Sequence, residues 1–191
     1  YDELIESMIK DEKVCHYLDM PIQHCNDDIL RRMGRKTTKA ELMERIRMLR
    51  ERIPDITLRT TLICGFPGET QDNHEELMQF VNDMEFDRLG AFTYSPEEGT
   101  KAAAMPDQID EHIKAARSEK LIALGHDMSK EFRKFYIGKN EEVLFEEKAV
   151  IGDKEYFVGY TKEYVKVAKE TDENLENQIV SGRISGMLTD E

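Results

Sequence analysis

Cys15-His16 and His24-Cys25 stand in mirror order around a short run that carries Asp19. Thiolate, imidazole and carboxylate are ligand types for zinc and iron, so the first chemistry to test is a metal site. Such a site needs its ligands about 2.0–2.3 Å from one ion. Cys15 and Cys25 are ten positions apart, and an extended run of that length separates them by about 30 Å. Only a tight reversal would join them, and apart from Pro21 the run alternates as a strand does. We therefore expect no metal site here, and Cys64, at the end of a later strand, reads as a small buried hydrophobe. His16, His24, His74, His112 and His126 show no pairing of a nucleophile with a base, so no residue is assigned a catalytic role.

A second chemistry lies in three loops: Gln23 to Asn26, Gly65 to Thr70, and Tyr94 to Thr100. Gly65 and Gly68 can take positive φ and leave room for a bulky ligand. Glu69 can accept from an amine, and Gln23 and Ser95 offer neutral hydrogen bonds. One Gly-x-x-Gly loop reads equally well as a tight turn. Three polar loops at successive strand ends point to a ligand edge, because parallel α/β folds bind ligands where strands open into loops.

The elements that place these loops follow from periodicity. Leu4, Ile5, Met8 and Ile9 form a helical stripe, and residues 16–23 alternate as a strand. Asn26 is a plausible N-cap for a short helix carrying Ile29, Leu30 and Met33. Thr38 with Glu41 reads as a capping box for a helix that carries Leu42, Ile46 and Leu49 and stops before Pro54. The β-branched run ITLRTTLIC predicts a strand, followed by a helix with Leu77, Phe80, Val81 and Met84 inward, and FDRLGAFTY predicts another strand. This alternation predicts an α/β parallel sheet, in an open or closed barrel. Residues 107–135 predict one long helix carrying Ile113, Leu121, Leu124, Met128 and Phe132. Beyond Tyr136 four or five short strand-like runs, with turn signals at IGDK and TDENLEN, predict a small all-β barrel of the OB type. The expected domains are residues 1–135 and 136–191.

Composition narrows the classes. Of the 191 residues 39% are apolar and 35% charged, enough for a core, with no apolar run of the length a membrane helix needs. Three irregularly spaced cysteines suit a reducing cytoplasm rather than a disulfide framework. A net charge of −13 counts against broad nucleic-acid binding and suits a basic partner. There is no Gly-x-Ser-x-Gly and no Gly-x-Gly-x-x-Gly, which removes the support for a generic α/β hydrolase or oxidoreductase.

YLDMPIQH, ILRRMGR, RTTLICGFPGET and FDRLGAFTYSPEEGT, in this order, resemble the radical S-adenosylmethionine methylthiotransferases over roughly residues 15–135. Gln23-His24-Cys25, where the transfer-RNA-modifying relatives usually carry Gln-Ser-Gly, is closest to the RimO type, which modifies a ribosomal protein. The tail resembles the TRAM domain of these enzymes. The resemblance implies the C-terminal half of a radical-SAM, partial TIM-like barrel with an OB-like TRAM domain. It implies S-adenosylmethionine and [4Fe–4S] clusters as cofactors, an electron-donor protein, a cytoplasmic setting and no membrane. The implied reaction generates an adenosyl radical and adds a methylthio group to an aspartate of a basic small-subunit ribosomal protein. By motif match it places Gln23, Gly65, Phe66, Glu69, Tyr94 and Ser95 in the wall of the cofactor pocket. Arg59, mid-strand, reads either as pointing inward to a carboxylate or as a surface arginine.

The family's CxxxCxxC cluster motif is absent, since the cysteines stand alone at 15, 25 and 64. The expectation is that the cluster ligands lie upstream, and that these residues alone are inactive and serve at most as a recognition piece. The tail also lacks the Gly-Arg-Thr-Tyr-like segment of RimO types, and VGYTKEYVKVAKETDENLENQIV resembles the branch that methylthiolates a modified adenosine in transfer RNA. Residues 136–191 hold seven Lys and Arg against thirteen Asp and Glu, which favours a basic protein over RNA as partner.

Overall fold

The computed structural model describes residues 2–189. Tyr1, at the head of the expected first helix, and Asp190 and Glu191, at the end of the expected tail domain, lie outside the described residues. The chain forms two compact units, Leu18–Ser129 and Tyr1–Tyr17 with Lys130–Glu191.

The first unit is built on a three-stranded sheet of β1 (Tyr17–Asp19), β2 (Thr57–Cys64) and β3 (Arg88–Thr93), in that order. β2 and β3 run parallel, from Arg59 opposite Arg88 to Cys64 opposite Thr93. The alternation in residues 16–23 predicted a longer first strand. Pro21 has no N–H to give, and Gln23 takes φ +69°, so regular pairing stops at Asp19. The chain still follows β2, because the Met20 and Gln23 N–H groups donate to the carbonyls of Arg59 (2.8 Å) and Thr61 (2.9 Å).

Helices α2 (Asp27–Arg32) and α3 (Lys39–Arg52) begin where the cap signals put them, and α4 (Gln71–Met84) begins after Thr70, a cap not read in the sequence. Asn26 accepts from the Asp28 and Ile29 amides, and Thr38 with Glu41 closes a reciprocal capping box. Their apolar faces bury Ile29, Leu30, Leu42, Ile46, Leu49, Leu77, Phe80 and Val81, while Met84 at the end of α4 is only half-buried. In β2 the alternation divides two faces: Leu58, Thr60, Leu62 and Cys64 are buried, and Arg59, Thr61 and Ile63 are half-exposed.

The long helix, α5, spans Glu111–Lys134 rather than residues 107–135. Asp107 sits at φ +62° after Pro106, outside helical geometry, and Asp110 caps the start by accepting from the His112 amide at 2.8 Å. Its buried face also differs from the expected apolar stripe. Lys114, Arg117, Ser118, Leu121 and Gly125 are buried, whereas Ile113 is exposed.

The second unit carries α1 (Asp2–Lys10), which buries Ile5 and Met8, and an antiparallel sheet. Its strands β4 (Asn140–Ile151), β5 (Lys154–Tyr160), β6 (Lys166–Lys169) and β7 (Gln178–Arg183) are ordered β6-β5-β4-β7. Val143, Phe145, Phe157 and Leu175 form its core, with Val167 and Val180 against them.

Candidate functional site

The ends of β2 and β3, with the Gln23 segment, bring the three sequence-selected loops to one edge of the first sheet. Gln23 is locked to β2 by its own backbone, its carbonyl accepting from the Ile63 amide at 2.8 Å. Tyr94 continues β3, its N–H donating to the Cys64 carbonyl at 2.8 Å. Phe66 is buried edge-on against Tyr94, with ring centroids 5.1 Å apart, in a patch with Ile29, Met33, Ile63, Ala102 and Met105. Ser95 is exposed, and its hydroxyl donates to Glu97 at 3.1 Å. The Tyr94 hydroxyl is buried without a partner among the described residues, a polar atom left over in an otherwise apolar patch.

Arg59 lies on the half-exposed face of β2 and pairs with Asp19. A Cβ on Gly90 would come within 4.0 Å of Arg59, Thr61 and Phe92, which places these residues on the same face.

Gly65 and Gly68 take φ +75° and +86°. The space beside them is filled by the protein itself. A Cβ on Gly65 would stand 2.3 Å from Lys114 Cγ, and one on Gly68 would stand 2.1 Å from Arg32 Nη1. Gly65 makes room for the buried Lys114, and Gly68 for the exposed Arg32.

Glu69 also turns inward. Its side chain has no exposed surface, and Oε2 accepts from the Gly65 amide at 2.7 Å. Arg117 Nη1 donates to both the Glu69 carboxylate (2.9 Å) and its carbonyl (3.0 Å). Burial pushes the Glu69 carboxyl above its ordinary range, against the lowering effect of the Gly65 amide and of Arg117. The amine partner expected for Glu69 is thus met, in this structure, by a guanidinium of the same chain.

Around this pair sits a buried polar cluster. His24 Nδ1 accepts from the Asn26 amide at 2.9 Å, which assigns the proton to Nε2, 3.8 Å from Glu69 Oε2. Burial, above all, lowers His24 to about 4, with His74 and Arg117 adding to it and Glu76 opposing. His74, also buried, is lowered to about 4 by burial first and then by Arg117 and Lys120. Although burial pushes Glu76 up, hydrogen bonds from Asn26 (2.7 Å) and Lys39 (2.9 Å) hold its carboxyl below the usual value.

Cys25 and Cys64 are fully buried, and burial pushes each thiol up to about 12. Among the described residues no three His, Cys, Asp or Glu side chains are grouped so that they could hold a metal ion. An iron–sulfur cluster needs thiolates, so the cysteines present do not fit one.

A cleft of about 520 Å³ opens beside α2 and the start of α4, lined by Ile29, Arg31, Arg32, Gly68, Thr70 and Asn73. Of the loop residues singled out in the sequence, Gly68 and Thr70 line it, whereas Gln23, Arg59, Gly65, Phe66, Glu69, Tyr94 and Ser95 do not. Lys114 and Arg117 were missed in the sequence, since nothing in a charged helix marks which cations turn inward. The available signal was their spacing to Leu121, which puts all three on one face.

Residues 1–81 match the model of the Radical SAM superfamily. The chain is similar to proteins named ribosomal protein uS12 methylthiotransferase RimO. It is 47% identical to that of Clostridium perfringens (strain SM101) over 85% of this chain and 36% of the relative. Identity is 49% to that of Lachnoclostridium phytofermentans, over 84% and 36%, and 52% to that of Clostridium botulinum (strain Hall), over 75% and 32%. The chain thus spans about a third of the length of the relatives it matches. Among solved structures it resembles the radical SAM enzyme coproporphyrinogen III oxidase (HemN) from Escherichia coli. The TM-score is 0.55 at 19% identity, covering 66% of this chain and 29% of that one, a likeness of fold alone.

Proposed function

We propose, for a chain that is a relative of the RimO-type radical S-adenosylmethionine methylthiotransferases over most of its length, that it forms the C-terminal part of such an enzyme. The reaction we assign to the whole enzyme is addition of a methylthio group to an aspartate of a small-subunit ribosomal protein. The observation that carries this reading is the meeting of three polar loops at one edge of a parallel sheet, a place where α/β folds hold ligands. In this reading residues 1–135 complete the radical domain as its C-terminal half-barrel, and residues 136–191 form the OB-like TRAM module.

S-adenosylmethionine would supply the adenosyl and methyl groups. Gln23, Phe66, Tyr94 and Ser95 would line its site, the Phe66–Tyr94 edge giving apolar contact and the unpartnered Tyr94 hydroxyl a polar one. Gly65 and Glu69 would belong to the same wall by fixing the first loop, and Arg59, paired with Asp19, would stand further along the open face. The cysteines described here do not fit the cluster, so no step is assigned to them; its ligands, and the contact with an electron-donor protein, would lie elsewhere in the enzyme.

The substrate assignment rests on charge. Residues 136–191 carry seven basic against thirteen acidic residues, which suits a lysine- and arginine-rich protein in the cytoplasm and not RNA phosphates. The tail's likeness to the transfer-RNA branch supports the second reading, methylthiolation of a modified adenosine in transfer RNA. The deciding experiment gives the full-length enzyme, reconstituted with iron and sulfide and supplied with reductant and S-adenosylmethionine, either substrate. A methylthio group on the ribosomal-protein aspartate is expected. Transfer to RNA alone would replace this reading with the second, and transfer to neither would remove both.

A further inference from the structure

Helix α5 turns two cations inward where a helix normally buries aliphatic residues. Lys114 and Arg117 are 1% and 7% exposed, and burying charge is costly unless each proton finds a partner. Each of these cations holds a different loop. Lys114 Nζ donates to the Tyr94 carbonyl at 3.1 Å and to Glu111 at 2.7 Å, while its stem fills the space beside Gly65. Arg117 grips the carboxylate and carbonyl of Glu69, and Glu69 in turn holds the Gly65 amide. Phe66 lies between the two tied residues Gly65 and Glu69, and Ser95 follows the tied carbonyl of Tyr94.

We infer that Lys114 and Arg117 are positioning residues that brace, from one helix, the two loops forming the adenosyl wall. The inference rests on the proposed function and adds to it two residues that would touch no substrate. Each cation sets one loop, so their removal should loosen the loops separately.

The test uses full-length enzyme with Lys114→Met, which keeps the stem and removes the ammonium, and with Arg117→Gln. Amide hydrogen exchange without cofactor reads the loops, and equilibrium dialysis reads S-adenosylmethionine affinity. Lys114→Met should speed exchange at the Tyr94 and Ser95 amides and spare those of Gly65, Phe66, Gly68 and Glu69, and Arg117→Gln should do the reverse. Each should weaken S-adenosylmethionine binding by roughly ten-fold or more, with Lys114→Arg recovering part of the loss. Where Arg117→Gln does not fold, Arg117→Lys, which keeps the charge and loses the two-point grip, carries the same expectation. Unchanged exchange at both loops overturns the inference, as does loosened exchange with unchanged affinity. A wild-type enzyme that holds its cluster yet binds no S-adenosylmethionine overturns the proposed function itself, and shows as a wild-type failure rather than a variant effect.

Discussion

Lys114 lays its stem into the space that a side chain on Gly65 would occupy, an ideal Cβ there standing 2.3 Å from Lys114 Cγ. Gly65 also sits at φ +75°, where an L-residue is disfavoured. Gly65→Ala should therefore cost about 2–4 kcal/mol, from backbone strain and from overpacking of a buried lysine. Urea unfolding measures the loss. In a Lys114→Ala background, where only the Lys114 Cβ at 3.0 Å remains, the same substitution should cost mainly the backbone part, and an undiminished cost there would show that the clash does not matter.

Most of the framework around that glycine was legible in the sequence. Asn26, Thr38 and the run from Ile56 to Cys64 announce their elements through local chemistry, caps and β-branching, which tertiary packing did not override. The misreadings came from packing between distant residues. No local signal shows that Glu69 faces Arg117, 48 positions away, or that α5 buries Lys114 in preference to Ile113. Pro21 was visible, yet its effect on strand length depended on Gln23 adopting φ +69°.

The two buried histidines set a pH dependence. His24 and His74 ordinarily take up a proton near 6.5, and burial delays this to about 4 in the folded chain. Between those values the unfolded chain binds more protons, so stability is fully present above pH 6.5 and falls as the pH drops towards 4. Glu69, whose carboxyl is raised by burial, works in the opposite direction, since its cost at neutral pH is relieved on acidification. The histidine effect should amount to about 2 kcal/mol per histidine between pH 6.5 and 5. His24→Asn, which keeps an acceptor for the Asn26 amide, should flatten the slope of urea midpoint against pH. A slope unchanged in that variant would mean that His24 is not buried as a neutral ring.

Thr70 joins the Glu69 loop to α4. Its side chain accepts from the Asn73 amide at 3.2 Å, and the Asn73 side chain accepts from the Thr70 amide at 2.9 Å. Thr70→Ala opens one half of this box and should cost about 1 kcal/mol in urea unfolding. Thr70→Ser should restore nearly all of it. An equal loss in both variants would point to the threonine methyl rather than the hydroxyl.

Gly159, in the antiparallel sheet, leaves no room for a side chain. It lies opposite Phe145, next to the irregularity between Phe145 and Glu147, and a Cβ there would stand 2.0 Å from the Leu144 carbonyl oxygen and 2.6 Å from Phe145 Cα. Both obstacles are backbone atoms, so no side chain can move aside. Gly159→Ala should therefore force β4 and β5 apart, at a cost of at least about 3 kcal/mol, and disturb the Phe145–Phe157 core. Hydrogen exchange should show β4 and β5 amides losing protection while those of Leu58 to Cys64, in the other compact unit, keep theirs. Loss of protection in both regions together would show that the two units unfold as one. Full protection in both would mean that the β4–β5 irregularity can absorb a methyl group.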